Sequence, residues 1–134
     1  MRIVQHTFDF GLGGIQKAPC VFAAEMAAHG HDCYVLAERT GPRYSASPGE
    51  NQTHIILGSD DPAVAARVID EIGPDVVHLH RGAYVPALVR SLAAQSRPER
   101  VIVSSPVFGR PPDDPSLLDL TRTCLVGCYT FYRF

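Results

Sequence analysis

The residues best suited to binding chemistry lie near the amino terminus. Residues 8–17 read FDFGLGGIQK, directly after a short apolar run, Arg2–Thr7, that has the length of a strand. Glycines at a strand-to-helix turn let backbone N–H groups come close to an anion at the helix amino terminus. Gly13 and Gly14 are therefore the candidate donors to a phosphate. A tight turn would use the same glycines with no ligand at all. The dinucleotide fingerprint Gly-x-Gly-x-x-Gly is broken, because Gln16 occupies its third glycine position. Glu38, at the end of the second apolar run, keeps a ribose contact and a nicotinamide cofactor as the alternative.

His78 and His80 form the next candidate pair. Two apart at the end of an apolar run, they share one face of a strand and point to the same end of the sheet as the glycine loop. Acceptor-hydroxyl binding, general base work and metal ligation all suit them, and so does a hydrogen-bonded structural role. Two histidines with no third ligand close in sequence make only a weak metal signal. Ser104, Ser105 and Arg110 follow a fifth apolar run and should open onto the same edge, with Arg110 suited to a phosphate or carboxylate. Neither a Gly-x-Ser-x-Gly elbow nor a Walker A sequence occurs, so hydrolase and P-loop chemistry lack their key residues. Cys20 near a helix start is read as a small core residue rather than a reactive thiolate.

Positioning these residues requires alternating strands and helices. Strands are expected at Arg2–Thr7, Asp32–Ala37, Thr53–Leu57, Val76–His80 and Val101–Ser105, with a sixth around Cys124–Cys128. A first helix is expected to start near Ala18, with Pro19 in its first turn, Phe22, Ala23, Met26 and Ala27 as its apolar stripe and Gly30 ending it. The second has Asp61 as cap, Pro62 at its first position and Gly73-Pro74 as its stop. The third has Pro86 in its first turn and Val85, Leu88, Val89 and Leu92 as its stripe, with Pro98 closing the loop beyond. Such alternation implies right-handed crossovers and an α/β fold: a Rossmann-like three-layer αβα sandwich with a mostly parallel sheet of about six strands. Thr40–Gln52 and Gly109–Pro115 read as loops, the first as an edge cover or flap.

The totals fit one domain. The chain has 134 residues, 46% of them hydrophobic and 19% charged, with a formal net charge of −2. No basic excess is present to neutralise phosphates, so a nucleic-acid partner is not expected. No apolar run reaches membrane-span length and no basic amphipathic helix supports membrane contact. The four cysteines contain no Cys-x-x-Cys pair, which fits reduced thiols in a cytoplasmic protein.

Several of these segments together resemble one family. RIVQHT, Gly13-Gly14-Ile15, the AAEMAAHGHD of Ala23–Asp32, the PDVVHLH of Pro74–His80 and VIVSSPVFGR are similar, in order and spacing, to the N-terminal domain of glycosyltransferase family 4, of GT-B fold. The resemblance implies retaining transfer of a hexosyl group from a nucleotide-sugar donor to a sugar or lipid-linked acceptor held largely by this domain. It places Gly13 and Gly14 near the donor phosphates. On the same reading His80 is the catalytic or acceptor-contacting candidate, with His78 and Arg110 as weaker substrate contacts. No cofactor is implied beyond the donor, which is a substrate. Many family members end the fifth strand with a histidine that contacts the donor sugar; Pro106 stands there, so that role is not carried over.

Residues 1–134 are thus expected to be one Rossmann-like domain, the acceptor-side half of an enzyme whose donor-binding domain is supplied in cis or in trans. The aromatic end, Tyr129 to Phe134, reads as a truncation point before that domain. Alternatives are a non-catalytic binding module of the same fold and a dinucleotide-binding fragment of an oxidoreductase.

Overall fold

The computed structural model describes residues 1–82 and 85–104 and the backbone of 105–106 and 122–123. Its elements follow in the order β1 (Arg2–Asp9), α1 (Gly14–Ala28), β2 (Asp32–Arg39), β3 (Gln52–Ile56), α2 (Pro62–Ile72), β4 (Val76–Arg81), α3 (Pro86–Ala93), β5 (Val101–Pro106) and β6 (Arg122–Thr123). The six strands form one sheet in the order β3-β2-β1-β4-β5-β6, and every pairing is parallel. The fold is α/β and Rossmann-like. Its strand order reverses between β1 and β4, and ligands of open α/β sheets bind beyond the carboxyl ends of the strands at such a point.

Strand period assigns the two faces. Ile3, Cys33, Val35 and Ala37 pack under α1 through Ala23 and Ala27, with Phe10 closing that core. Val4, Leu36, Val77, Leu79 and Ile102 pack on the other face under α2 and α3, through Ala65, Ala66, Ile69, Leu88, Val89 and Leu92. Helices cover both sides, so the strands are rich in apolar residues and do not alternate with polar ones. Register is tight at the centre: His6 lies between Leu36 of β2 and Leu79 of β4.

α2 has the ends expected of it. The Asp61 carboxylate accepts from the Ala63 N–H at 2.9 Å, Pro62 is at the first position, and Gly73 adopts the left-handed conformation at φ 65°. α1 differs from expectation. It starts at Gly14, with Gly13 as an extended N-cap, and Pro19 lies inside it, buried. The Lys17 N–H reaches the Gly13 carbonyl at 2.8 Å and closes a first turn that lies before Pro19. Pro19 therefore leaves the Ile15 carbonyl without its usual intrahelical donor. Phe22, expected in the apolar stripe, is exposed. Gly30 does take a positive φ just past the end of α1. A sixth strand is described over Arg122–Thr123; Cys124–Cys128, where one was expected, Arg110, the second loop and the aromatic end lie outside the described residues. Among the described residues no helix is long and apolar enough to cross a membrane.

Candidate functional site

The carboxyl ends of β1, β2 and β4 bring three groups of residues together. The first is the glycine loop between β1 and α1. The Asp9 carboxylate accepts from the Gly11 N–H at 2.8 Å and starts the turn. The N-cap of α1 has no side-chain hydrogen bond and its first turn has no acidic residue, so its leading N–H groups and the positive end of the helix dipole have no capping side chain. Neither Gly13 nor Gly14 has a left-handed backbone. A Cβ on Gly14 would meet nothing within 4 Å, and one on Gly13 would meet only the end of the flexible Gln16 side chain.

This loop is held from above by the β2–β3 connection, residues 40–51, which is the expected edge cover. The Arg43 N–H donates to the Phe10 carbonyl at 2.8 Å, and its guanidinium reaches toward the Leu12 carbonyl at 3.4 Å. Phe10 is fully buried and stacks on His54 at 4.9 Å, with Tyr44 edge-on at 5.5 Å. Gly41 makes the approach possible: a Cβ there would lie 2.4 Å from the Phe10 carbonyl group and 2.8 Å from the Gly11 nitrogen. Gly41 and Arg43 carry no motif, so only the tertiary contact reveals them. Cys20, near Arg43, has its thiol pushed up by burial with a smaller opposing pull from that arginine, as a packed cysteine should.

The second group occupies the α1 face. His78 and His80 do share that face, their rings 3.8 Å apart, with Phe22 of α1 at 5.8 and 5.7 Å. His80 was expected to open onto the ligand edge but is buried instead. Its Nε2 lies 2.5 Å from Gln5 Oε1. An amide oxygen only accepts, so Nε2–H is the donor and Nδ1 carries the lone pair. Burial pushes His80 down to about 3, helped by the neighbouring His78 and His6, and pushes His78 down to about 4. Both rings are neutral near pH 7, and bases this weak give little proton-abstracting power there. Among the described residues no group of three or more His, Cys, Asp or Glu is placed to hold a metal ion.

The third group lies on the α2/α3 face and was not foreseen as a unit. Glu38 and Arg81, at the ends of β2 and β4, form an ion pair across β1 with a 2.6 Å contact; their side chains are 8% and 20% exposed. The pair crosses the sheet beside Phe8, whose ring has Arg39 at 4.9 Å and Arg81 at 5.5 Å. One row deeper sits His6, 1% exposed. Burial, and secondarily Arg81, push it down to about 3. Among the described residues neither His6 nitrogen has a hydrogen-bond partner, nor does Glu38 Oε2. Each buried group left so costs about 1–3 kcal/mol. Glu38 is thus engaged by Arg81 through Oε1 alone, and its Oε2 is left with no donor among the described residues.

Ser104 is buried in β5. Arg110, the remaining expected contact, lies outside the described residues. A separate groove of about 240 Å³, lined by Pro74, Asp75, Arg97 and Arg100 among others, lies at the opposite end of the sheet and includes none of the candidate residues.

No family model and no curated protein matches the chain. Among solved structures it is similar to an alpha-glucosyltransferase in complex with UDP and a 13-mer DNA containing an HMU base, at 16% identity and a TM-score of 0.45. The match covers 78% of this chain and 28% of that one. It does not single out family 4, and the expectation of no nucleic-acid contact gains no support from it. The Rossmann-like fold rests on the chain's own strand order and pairing.

Proposed function

We propose that this chain is the acceptor-side Rossmann-like domain of a nucleotide-sugar-dependent glycosyltransferase, acting with a donor-binding domain in cis or in trans. The observation that carries the proposal is the combination at Gly13 and Gly14. Neither backbone conformation nor packing calls for glycine at position 14, and only a movable side chain stands near position 13. Open space over uncapped amides is what a diphosphate requires for close approach. Fixed amides also suit the charge that develops on a leaving nucleoside diphosphate.

Within this reading Gly13 and Gly14 donate to the donor phosphates, with Arg43 as a nearby cation. His80 is a buried support that positions Gln5 and packs against His78, and His78 remains the acceptor-side candidate of the pair. The ordered motifs shared with family 4 support sugar transfer over other uses of the same loop. The dinucleotide-binding alternative is weakened by Gln16 at the third glycine position.

Calorimetric titration with UDP, GDP and NAD tests the proposal. Binding of a nucleoside diphosphate that Gly14→Val abolishes without lowering thermal stability is the expected result. NAD binding in preference to UDP and GDP would overturn it.

A further inference from the structure

The Glu38–Arg81 pair, with His6 beneath it, has no place in the diphosphate reading. We infer that this cluster, at the ends of β1, β2 and β4 on the α2/α3 face, is a subsite for a neutral polyol, such as a sugar ring presenting adjacent hydroxyls.

The hydrogen-bonding capacity left over defines the ligand. Glu38 Oε2 is a buried acceptor with no donor, and the two ring nitrogens of neutral His6 are one donor and one acceptor, both unpartnered among the described residues. Groups that both give and receive hydrogen bonds satisfy such a set, and a hydroxyl does both. The charges of the buried groups cancel, since Arg81 neutralises Glu38 at 2.6 Å and the buried ring of His6 is uncharged, while Arg39, over the Phe8 ring, is exposed to water. A neutral ligand therefore fits better than an anion. Proteins rarely leave buried polar atoms unmatched without a compensating use.

Access is from the strand ends. Arg81 retains 20% of its side-chain exposure and Phe8 is half-buried beside it, so the rim of the site combines a guanidinium with an apolar ring. A hydroxyl entering beside Arg81 donates to Glu38 Oε2 and accepts from the guanidinium, and an adjacent one continues toward His6. The site belongs to the same carboxyl edge as the glycine loop but to the opposite sheet face from His78 and His80. That this polyol is the acceptor rests on the transferase reading; that the site binds polyols does not.

The test is a titration of the full chain, labelled at histidine nitrogens and glutamate carboxyls, with glucose, mannose, galactose and myo-inositol, followed by NMR. A saturable movement of the His6 ring and Glu38 carboxyl signals together, by at least one of these, is the expected result. Glu38→Gln should weaken that binding about tenfold, the loss of one hydrogen bond to a charged group, and leave the response of the Gly13 and Gly14 amides to UDP unchanged. If Glu38→Gln does not fold, the wild-type titration decides alone. Failure of every polyol to move both signals overturns the subsite, whatever UDP does. A polyol response without any UDP response retains the subsite and removes the transferase reading instead.

Discussion

Replacing Gly41 with alanine tests whether the β2–β3 connection positions the glycine loop. The added methyl would lie 2.4 Å from the Phe10 carbonyl carbon and oxygen. Carbon atoms in contact prefer about 3.5 Å or more, so the two segments must separate by roughly 1 Å. Neither side of the contact is a movable side chain, and the strain resembles overpacking, which costs about 1–3 kcal/mol. The Arg43 N–H bond to Phe10 is stretched by the same movement, and its loss adds about 1 kcal/mol. Gly41→Ala should therefore destabilise by about 2–4 kcal/mol, which for a domain of this size lowers Tm by roughly 10 °C. Gly14→Ala is the internal control. It adds a methyl where nothing lies within 4 Å, inside a helix, where alanine is favoured over glycine by up to about 1 kcal/mol. Thermal denaturation followed by circular dichroism reads both. A Gly41→Ala protein within about 2 °C of the parent, a shift too small for even 1 kcal/mol, would show that the loop contact is not as close as described and would remove the clamp from the account.

Other outcomes are equally definite. The buried histidines make stability depend on pH: His6 and His80 have folded values near 3, below the unfolded value, so the unfolded chain takes up protons first. Stability is full above about pH 6.5 and falls as pH drops toward 3, by about 2 kcal/mol per histidine at pH 5; urea midpoints at pH 7.5, 6 and 5 should decline in that order, and a flat series would refute it. His6→Leu removes two unpartnered nitrogens from the core and should raise stability at pH 7 by about 1–3 kcal/mol, measured by urea unfolding, whereas a loss would mean that His6 has partners. Asp61→Ala removes the cap on α2 and should cost about 1 kcal/mol in the same assay, with no change in UDP response.

Local signals were legible and long-range ones were not. The ends of α2 could be read because Asp61, Pro62 and Gly73 act within a few residues of the groups they serve. The start of α1 was misplaced because Pro19 is a strong local mark for a first turn, while the cap at Gly13 depends on where β1 ends. Phe22 fits a helical stripe by spacing, yet the neighbour it meets is the histidine pair of β4, not the core. His78 and His80 were correctly placed on one face, since strand period alone decides that. Their burial was not readable, because it follows from α1 lying over β4. The ion pair of Glu38 with Arg81 joins residues 43 apart in sequence and exists only because β1 lies between β2 and β4. Gly41 is one glycine among eleven, and only its contact with Phe10 distinguishes it.

The central claim is that the open space over Gly14, beside Gly13, belongs to a nucleoside diphosphate. Titrating the wild-type chain and Gly14→Val with UDP and GDP under identical conditions addresses it most directly. The account predicts binding by the wild type, loss of that binding in the variant, and unchanged thermal unfolding of the two proteins. Equal binding by both, or none by a well-folded wild type, would contradict it.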